Sequence, residues 1–202
     1  MQHKVKVTVL DKKLYKDLQT QYCADADSGM CPCYNIGDEF VFKRFGTRDD
    51  FWHMGLNTLV KSSTFKNHTQ DHVSGGPAIP HCSEAWDAIA RYIYTGLQGG
   101  AIMRNWMNDE RIMITCCSDG TRPVIFKIER IDYKVIYLSD FDSLTCEDTI
   151  TKELLKIDEV TDIEFNYEEK FIEVSLKHDI NDDSLSYAIE NATTEHTVLN
   201  IV

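Results

Sequence analysis

Residues 111–138, RIMITCCSDGTRPVIFKIERIDYKVIYL, carry the plainest β signal in the chain and frame the rest of it. Residues 112–117 form one predicted strand. In the partner strand, 124–131, Val124, Phe126 and Ile128 alternate with Ile125, Lys127 and Glu129. Between them Ser118-Asp119-Gly120-Thr121 is a turn signal, and Asp-Gly supplies the positive backbone angles of a tight hairpin. A further strand is predicted over 133–138. A boundary between domains is expected at 131–132, although no proline-rich or glycine-rich linker marks it.

Downstream the pattern is regular. A helix over 147–157 puts Ile150, Leu154 and Ile157 on one stripe, and a strand over 162–167 turns Ile163, Phe165 and Tyr167 inward. Next comes a strand over 171–176 with Ile172, Val174 and Leu176 inward. A helix over 182–192 carries Leu185, Ala188, Ile189 and Ala192, and a closing strand covers 196–202. The order β-α-β-β-α-β is that of the ferredoxin-like, split-βαβ pattern.

Upstream, residues 3–10 read as a strand with Val5, Val7 and Val9 on one face, followed by a short helix over 12–22. Residues 23–37 hold Cys23, Cys31 and Cys33 among Asp25, Asp27, Ser28, Gly29, Pro32, Asn35 and Gly37, a density of turn formers that predicts a loop. A strand follows over 39–43. Residues 44–80 lose periodicity and gather glycines, prolines and His53, His68 and His72, the mark of a functional or mobile loop. Ser83 is the expected N-cap of a helix with Trp86, Ile89, Ala90 and Ile93 facing a sheet and Gly96 closing it. The predicted fold class is α+β: a small cysteine-containing α+β domain over 1–131, then a ferredoxin-like βαββαβ domain over 132–202.

Composition narrows the function. In 202 residues, 33 acidic against 21 basic side chains give a net charge of −12, and no basic patch offsets it, so nucleic acid is excluded as a partner. No run reaches the roughly 18 uncharged apolar residues of a membrane span. The first ten residues alternate charge and apolarity unlike a signal peptide, which predicts a cytoplasmic protein. Seven cysteines, an odd number unevenly spaced, favour free thiols, metal ligands or a redox pair over a disulfide framework. Phosphate-loop, dinucleotide-glycine and nucleophile-elbow motifs are absent. The carboxylates read as solvated faces, chiefly of the second domain.

Two resemblances attach to these motifs. In element order, length and its acidic, valine-rich middle strands, 133–202 resembles the heavy-metal-associated domain of copper chaperones and metal-transporting ATPases. That family carries Met-x-Cys-x-x-Cys before its first helix. Here the stretch is Leu144-Thr145-Cys146-Glu147-Asp148-Thr149, so Cys146 keeps the first ligand position and Thr149 replaces the second. A hydroxyl is a poor donor to Cu(I), and Asp140, Asp142, Glu147 and Asp148 work against a thiolate at Cys146. The resemblance therefore implies a degenerate metal loop, and either an accessory role or contacts with a protein partner through 132–202.

Residues 1–131 are similar to a small uncharacterised prokaryotic family of shorter, stand-alone proteins. The likeness rests on Cys31-Pro32, on Gly37-Asp38-Glu39-Phe40, on Pro80-His81-Cys82 running to Ala85, and on the hairpin motif Cys117-Ser118-Asp119-Gly120-Thr121-Arg122-Pro123-Val124.

The cysteines supply the candidate chemistry. In extended chain, Cys31-Pro32-Cys33 points both sulfurs the same way and suits a soft-metal clamp; otherwise one thiol packs and the other is exposed. Cys82 precedes a helix whose amide hydrogens and dipole favour a thiolate, which makes it the candidate nucleophile, with His81 beside it as a possible base. Cys116 and Cys117 end a strand and should face opposite ways, one of them into the core. Arg122, across the turn, is placed either to hold an anion or thiolate or to pair with Asp119 and pin the hairpin.

The metal candidates are Cys31, Cys33, Cys82, Cys117 and Cys146, with Cu(I) or Zn as the ion, although no C-x-x-C pair of the common zinc modules is present. The leading expectation is a binding protein for a soft metal or similar thiol-reactive ligand. The alternatives are a thiol-dependent enzyme with Cys82 or Cys31 as nucleophile and Arg122 as its anion-holding group, and a pure interaction module.

Overall fold

A computed structural model describes residues 1–43, 82–139, 141, 146–193 and 196–202. These form seven antiparallel strands and four helices, a mixed α/β protein. The chain divides into two compact units, one comprising Lys4–Arg130, the other Met1–His3 with Ile131–Val202.

The first unit is built on β1 (Gln2–Lys12), α1 (Lys16–Tyr22), β2 (Glu39–Lys43), α2 (Ser83–Leu97), β3 (Ile112–Cys116) and the first half of β4 (Val124–Leu138). β1 pairs with β2 in a register that sets Val5 against Phe42 and Val7 against Phe40, while β3 pairs with β4. The alternation of β1 buries Val5, Val7 and Val9 as expected, together with Phe40, Phe42, Phe126 and Ile128. Ala85, Ile89 and Ile93 of α2 close over that face. Each large apolar side chain taken fully out of water there contributes about 1.5–3 kcal/mol.

Three boundaries differ from expectation. β1 runs on to Lys12, and the amides of Lys13 and Tyr15 then donate to Pro123 and Thr121, so this pairing delays α1 until Lys16. The N-cap of α2 is Cys82 instead of Ser83. Gly96 lies inside the last turn of α2, and the chain leaves the helix at Gly99 with φ +75°. The amides of Gly99 and Gly100 close back on the carbonyls of Gly96 and Thr95, a Schellman motif, and Arg130 Nη1 donates to the carbonyls of Gly99 and Gly100 at 2.7 Å each. Gly96 is required for closeness: a Cβ there would stand 2.6 Å from Val5 Cγ2.

The β3–β4 connection also differs. Cys117 N donates to Val124 O, and the intervening residues form a wider loop in which Gly120 keeps an ordinary φ. The Asp119 carboxylate organises it, accepting from Thr121 N at 2.9 Å, Thr121 Oγ1 at 2.8 Å, Arg122 N at 3.2 Å and Arg122 Nε at 3.1 Å. An Asx-type clamp thus replaces the tight turn.

The second unit takes the other half of β4, then α3 (Glu147–Leu154), β5 (Val160–Asn166), β6 (Phe171–Leu176), α4 (Asp182–Ala192) and β7 (Val198–Ile201). Its strands lie in the order β7-β4-β6-β5. Ile150, Leu154, Leu185 and Ile189 of the two helices pack with Ile136, Leu138, Ile172, Val174 and Leu176. α3 stops at Leu154, short of the expected 157, and β7 begins at Val198.

Not every acid of this unit is solvated. Glu173 and Asp132 are each 2% exposed, because β6 and β4 are interior strands. Asp132 Oδ1 meets His3 Nδ1 at 2.7 Å. Lys134 is buried as well. Burial opposes its charge, but Asp182 at 2.6 Å and Asp179 at 3.0 Å overcome that and hold its pKa above the usual lysine range. Among the described residues no helix is long and apolar enough to cross a membrane.

Candidate thiol site

The loop after α1 presents Cys31 and Cys33, and polar side chains from the preceding elements brace it. Gln19, fully buried, clamps Gly29 through both ends of its amide: Nε2 donates to Gly29 O and Oε1 accepts from Gly29 N, each at 3.1 Å. Lys16 Nζ reaches Ala26 O and Asp27 Oδ1, both at 2.6 Å, and Lys12 Nζ donates to Tyr34 O at 2.8 Å. Gly29 (φ +72°) and Gly37 (φ +89°) supply the left-handed backbone at either end of the cysteine segment.

Between these anchors the chain bends at Pro32 and Cys33 instead of running extended. The two thiols remain electrostatic neighbours, and Cys31 acts to raise the Cys33 pKa. Cys31 is half-buried against the hydrophobic core, while Cys33 is exposed. Cys82 packs on the same core. Its sulfur makes no capping hydrogen bond, although its carbonyl accepts from Trp86 N at 3.0 Å.

Cys117 is buried and Cys116 exposed, the opposite facing expected of neighbours in a strand. The Cys117 sulfur accepts from Val124 N at 3.3 Å. Burial pushes its thiol pKa up, and the backbone at Val124 and Asp119 only partly offsets it.

Tyr34 ties the cluster together. Its ring stacks edge-on to Phe126 at 5.4 Å and to Phe40 at 6.0 Å, anchoring the residue beside Cys33 in the core. Burial raises its pKa far above the tyrosine range, and Cys82, Cys33, Cys31 and Cys117 all act on it in the same sense. Those four sulfurs therefore lie within electrostatic reach of one side chain.

Cys33 also stays above the usual thiol range. Partial desolvation comes first, then the neighbouring Cys31 and Cys82, with Arg122 opposing. Because Cys33 is exposed, water screens all of these effects. Arg122 feels Cys31 and Cys33 too, but its strongest partner is Asp119. Burial works against the Asp119 carboxylate, and the hydrogen bonds from Thr121 and Arg122 outweigh it, holding Asp119 below the usual carboxylate range. Arg122 thus pins its loop and still lends positive charge to the thiol pair.

The donor set fits some ions and not others. Among the described residues no three or more His, Cys, Asp or Glu side chains are arranged to hold a metal ion, so a tetrahedral zinc site from Cys31, Cys33, Cys82 and Cys117 is not preformed. A soft monovalent cation such as Cu(I) is satisfied by two thiolates, a smaller demand, and Cys31 and Cys33 are electrostatic neighbours.

Cys146 belongs to the other compact unit. It is the N-cap of α3, its carbonyl accepts from Thr149 N at 2.9 Å, and Glu147 and Asp148 fill the first turn behind it. Glu147 is bound by the Tyr167 hydroxyl, whose pKa that bond pushes up to about 12. Residues 142–145 and Asp140 of the degenerate loop lie outside the described residues, as do His53, His68, His72, His81 and the rest of 44–81.

Sequence reasoning missed Gln19 and Tyr34. A buried glutamine leaves no periodic signal, and only the aromatic Tyr34 beside Cys33 hinted that the loop is tied to the core. Compared with protein-family models, curated proteins and solved structures, the chain matches none.

Proposed function

We propose that the first unit binds a soft metal ion, or a comparable thiol-seeking ligand, through Cys31 and Cys33. Cys82 and Cys117 are the neighbouring sulfurs, and Arg122 offsets the negative charge of the thiolates. The observation that carries this reading is the placing of Cys31 and Cys33 two residues apart on a bend that exposes Cys33, with a guanidinium in electrostatic reach of both. Cu(I) is the favoured ion because two-sulfur coordination suffices for it. Zn(II) would need ligand rearrangement. A cytoplasmic setting, where thiols stay reduced, suits such chemistry.

On this reading the second unit is a ferredoxin-like module akin to heavy-metal-associated domains, with a degenerate loop at Cys146, serving as an accessory to the first or as a protein contact surface. The strand order β7-β4-β6-β5 with two helices packed on one face supports that kinship.

The test is a titration of reduced protein with Cu(I) and with Zn(II), followed by alkylation of whatever thiols remain reactive. The expected outcome is stoichiometric protection of Cys31 and Cys33 by Cu(I), with little protection by Zn(II). One thiol alkylating far faster than the others without metal would favour a nucleophilic enzyme built on Cys82 or Cys31 instead. Uniform slow labelling would favour a pure interaction module.

A further inference from the structure

We propose that the open edge of β5 in the second unit takes an extended, lysine- or arginine-bearing segment of a protein partner as an added strand. The inference rests on reading that unit as a protein contact surface, and it gives the surface an edge and a partner chemistry. It does not depend on the metal reading of the first unit.

The backbone supplies the edge. β5 ends the strand path, paired with β6 on one side and, among the described residues, with no strand on the other. Its seven residues span about 23 Å, and the amides and carbonyls that point away from β6 are a template for main-chain pairing.

The two faces of that edge differ. Ile163 and Phe165 pack against the second core but stay half-buried, whereas their register partners Val174 and Ile172 are fully buried. Alternation sets Asp162 and Glu164 on the opposite face, with Asp162 exposed, and Glu168 and Glu169 are exposed in the turn that follows β5. A strand laid along β5 would cover Ile163 and Phe165 with apolar side chains at alternate positions. The positions between them would face Asp162.

Charge selects the partner. Residues 131–202 carry 18 acidic against 5 basic side chains, a net of −13, whereas residues 1–130 carry 15 against 16, a net of +1. The negative potential of the chain thus originates in the second unit and draws a cationic segment toward it. A second copy of the chain fits worse, since antiparallel pairing of two β5 edges would set the acids of one copy against those of the other. The segment that suits both faces alternates cationic and apolar residues.

The experiment titrates the full chain with a capped peptide, Lys-Val-Lys-Thr-Lys-Val-Lys, and follows binding by calorimetry and amide hydrogen exchange by mass spectrometry. Binding should weaken as salt rises, and exchange should slow in residues 160–166 while α4 stays unchanged. A peptide with the same lysines separated by prolines cannot pair through its backbone and should bind at least about tenfold more weakly. Asp162→Asn, an exposed change that leaves the core alone, should weaken the first peptide roughly two- to fivefold.

Equal binding of the proline peptide would overturn the proposal, because charge alone would then account for it. Slowed exchange in α3 or α4 instead of β5 would overturn the edge and leave the contact-surface reading standing, whereas binding nowhere in 131–202 would remove both. A concentration-dependent dimer that protects β5 without peptide would make a second copy the occupant and overturn the basic partner.

Discussion

Two cysteines in this chain occupy the same local position, the residue capping the N-terminus of a helix: Cys82 before α2 and Cys146 before α3. Neither sulfur caps its helix, and both residues are half-buried. What differs is the company. Cys82 lies within electrostatic reach of Tyr34 and Cys33, and Cys33 in turn within reach of Cys31 and Arg122. Cys146 heads a first turn of Glu147 and Asp148. A helix N-terminus alone does not define a thiol site, because its modest dipole is easily overridden by the charges a few ångströms away.

The largest effect expected from breaking this contrast is in the cores that hold each cysteine. Phe126→Ala removes the ring on which Tyr34 stacks and should cost about 3–5 kcal/mol, with Cys31 and Cys33 losing their joint protection by Cu(I). Leu154→Ala, buried beneath α3, should cost about 2–5 kcal/mol and leave that protection intact. Thermal denaturation with alkylation mapping reads both, and equal loss of protection in the two variants would remove the contrast. Gly96→Ala should destabilise by about 1–3 kcal/mol despite the better helix propensity of alanine, because the new methyl meets Val5.

Asp119 gives a pH-dependent comparison. Its folded-state pKa is depressed, so the folded state binds fewer protons there than the unfolded chain. The clamp's contribution is complete above the ordinary Asp pKa of about 3.9 and is lost as pH falls through the lower folded value. Stability measured from neutral to acid pH should therefore drop more steeply in the parent than in Asp119→Asn. Parallel profiles would show that the carboxylate does not organise the loop.

The smallest effects return to the two caps. Cys82→Ser places a hydroxyl on extended backbone (φ −79°, ψ 109°) suited to capping, and should stabilise by up to about 1 kcal/mol. Cys146 sits at φ −109°, ψ 22°, so Cys146→Ser should gain less. Denaturant titration of the pair checks this, and a larger gain at Cys146 would contradict the assigned cap geometries.

Alternation made much of the fold legible. The valines of β1, the β3–β4 pairing and the βαββαβ order all rest on period-two and helical stripes that survive folding unchanged. The division between units was harder to read because it falls within β4, which is continuous from Val124 to Leu138 and needs no linker residues. Buried Glu173, Asp132 and Lys134 escaped because a charge in a strand looks solvated until its neighbours are known.

At the thiol site, the residue types named the candidate sulfurs but not the chain geometry around them. The Gln19 clamp on Gly29 joins residues too far apart to leave a spacing rule, and the Asp119 loop is a local side-chain clamp that reads in the chain as a plain Asp-Gly turn.

The most direct test of the central claim is residue-resolved alkylation of the reduced protein across a Cu(I) titration. Cys31 and Cys33 should disappear from the labelled set together, at one ion per chain, while Cys146 labels at an unchanged rate. Independent labelling of Cys31 and Cys33, or protection centred on Cys146, would contradict it.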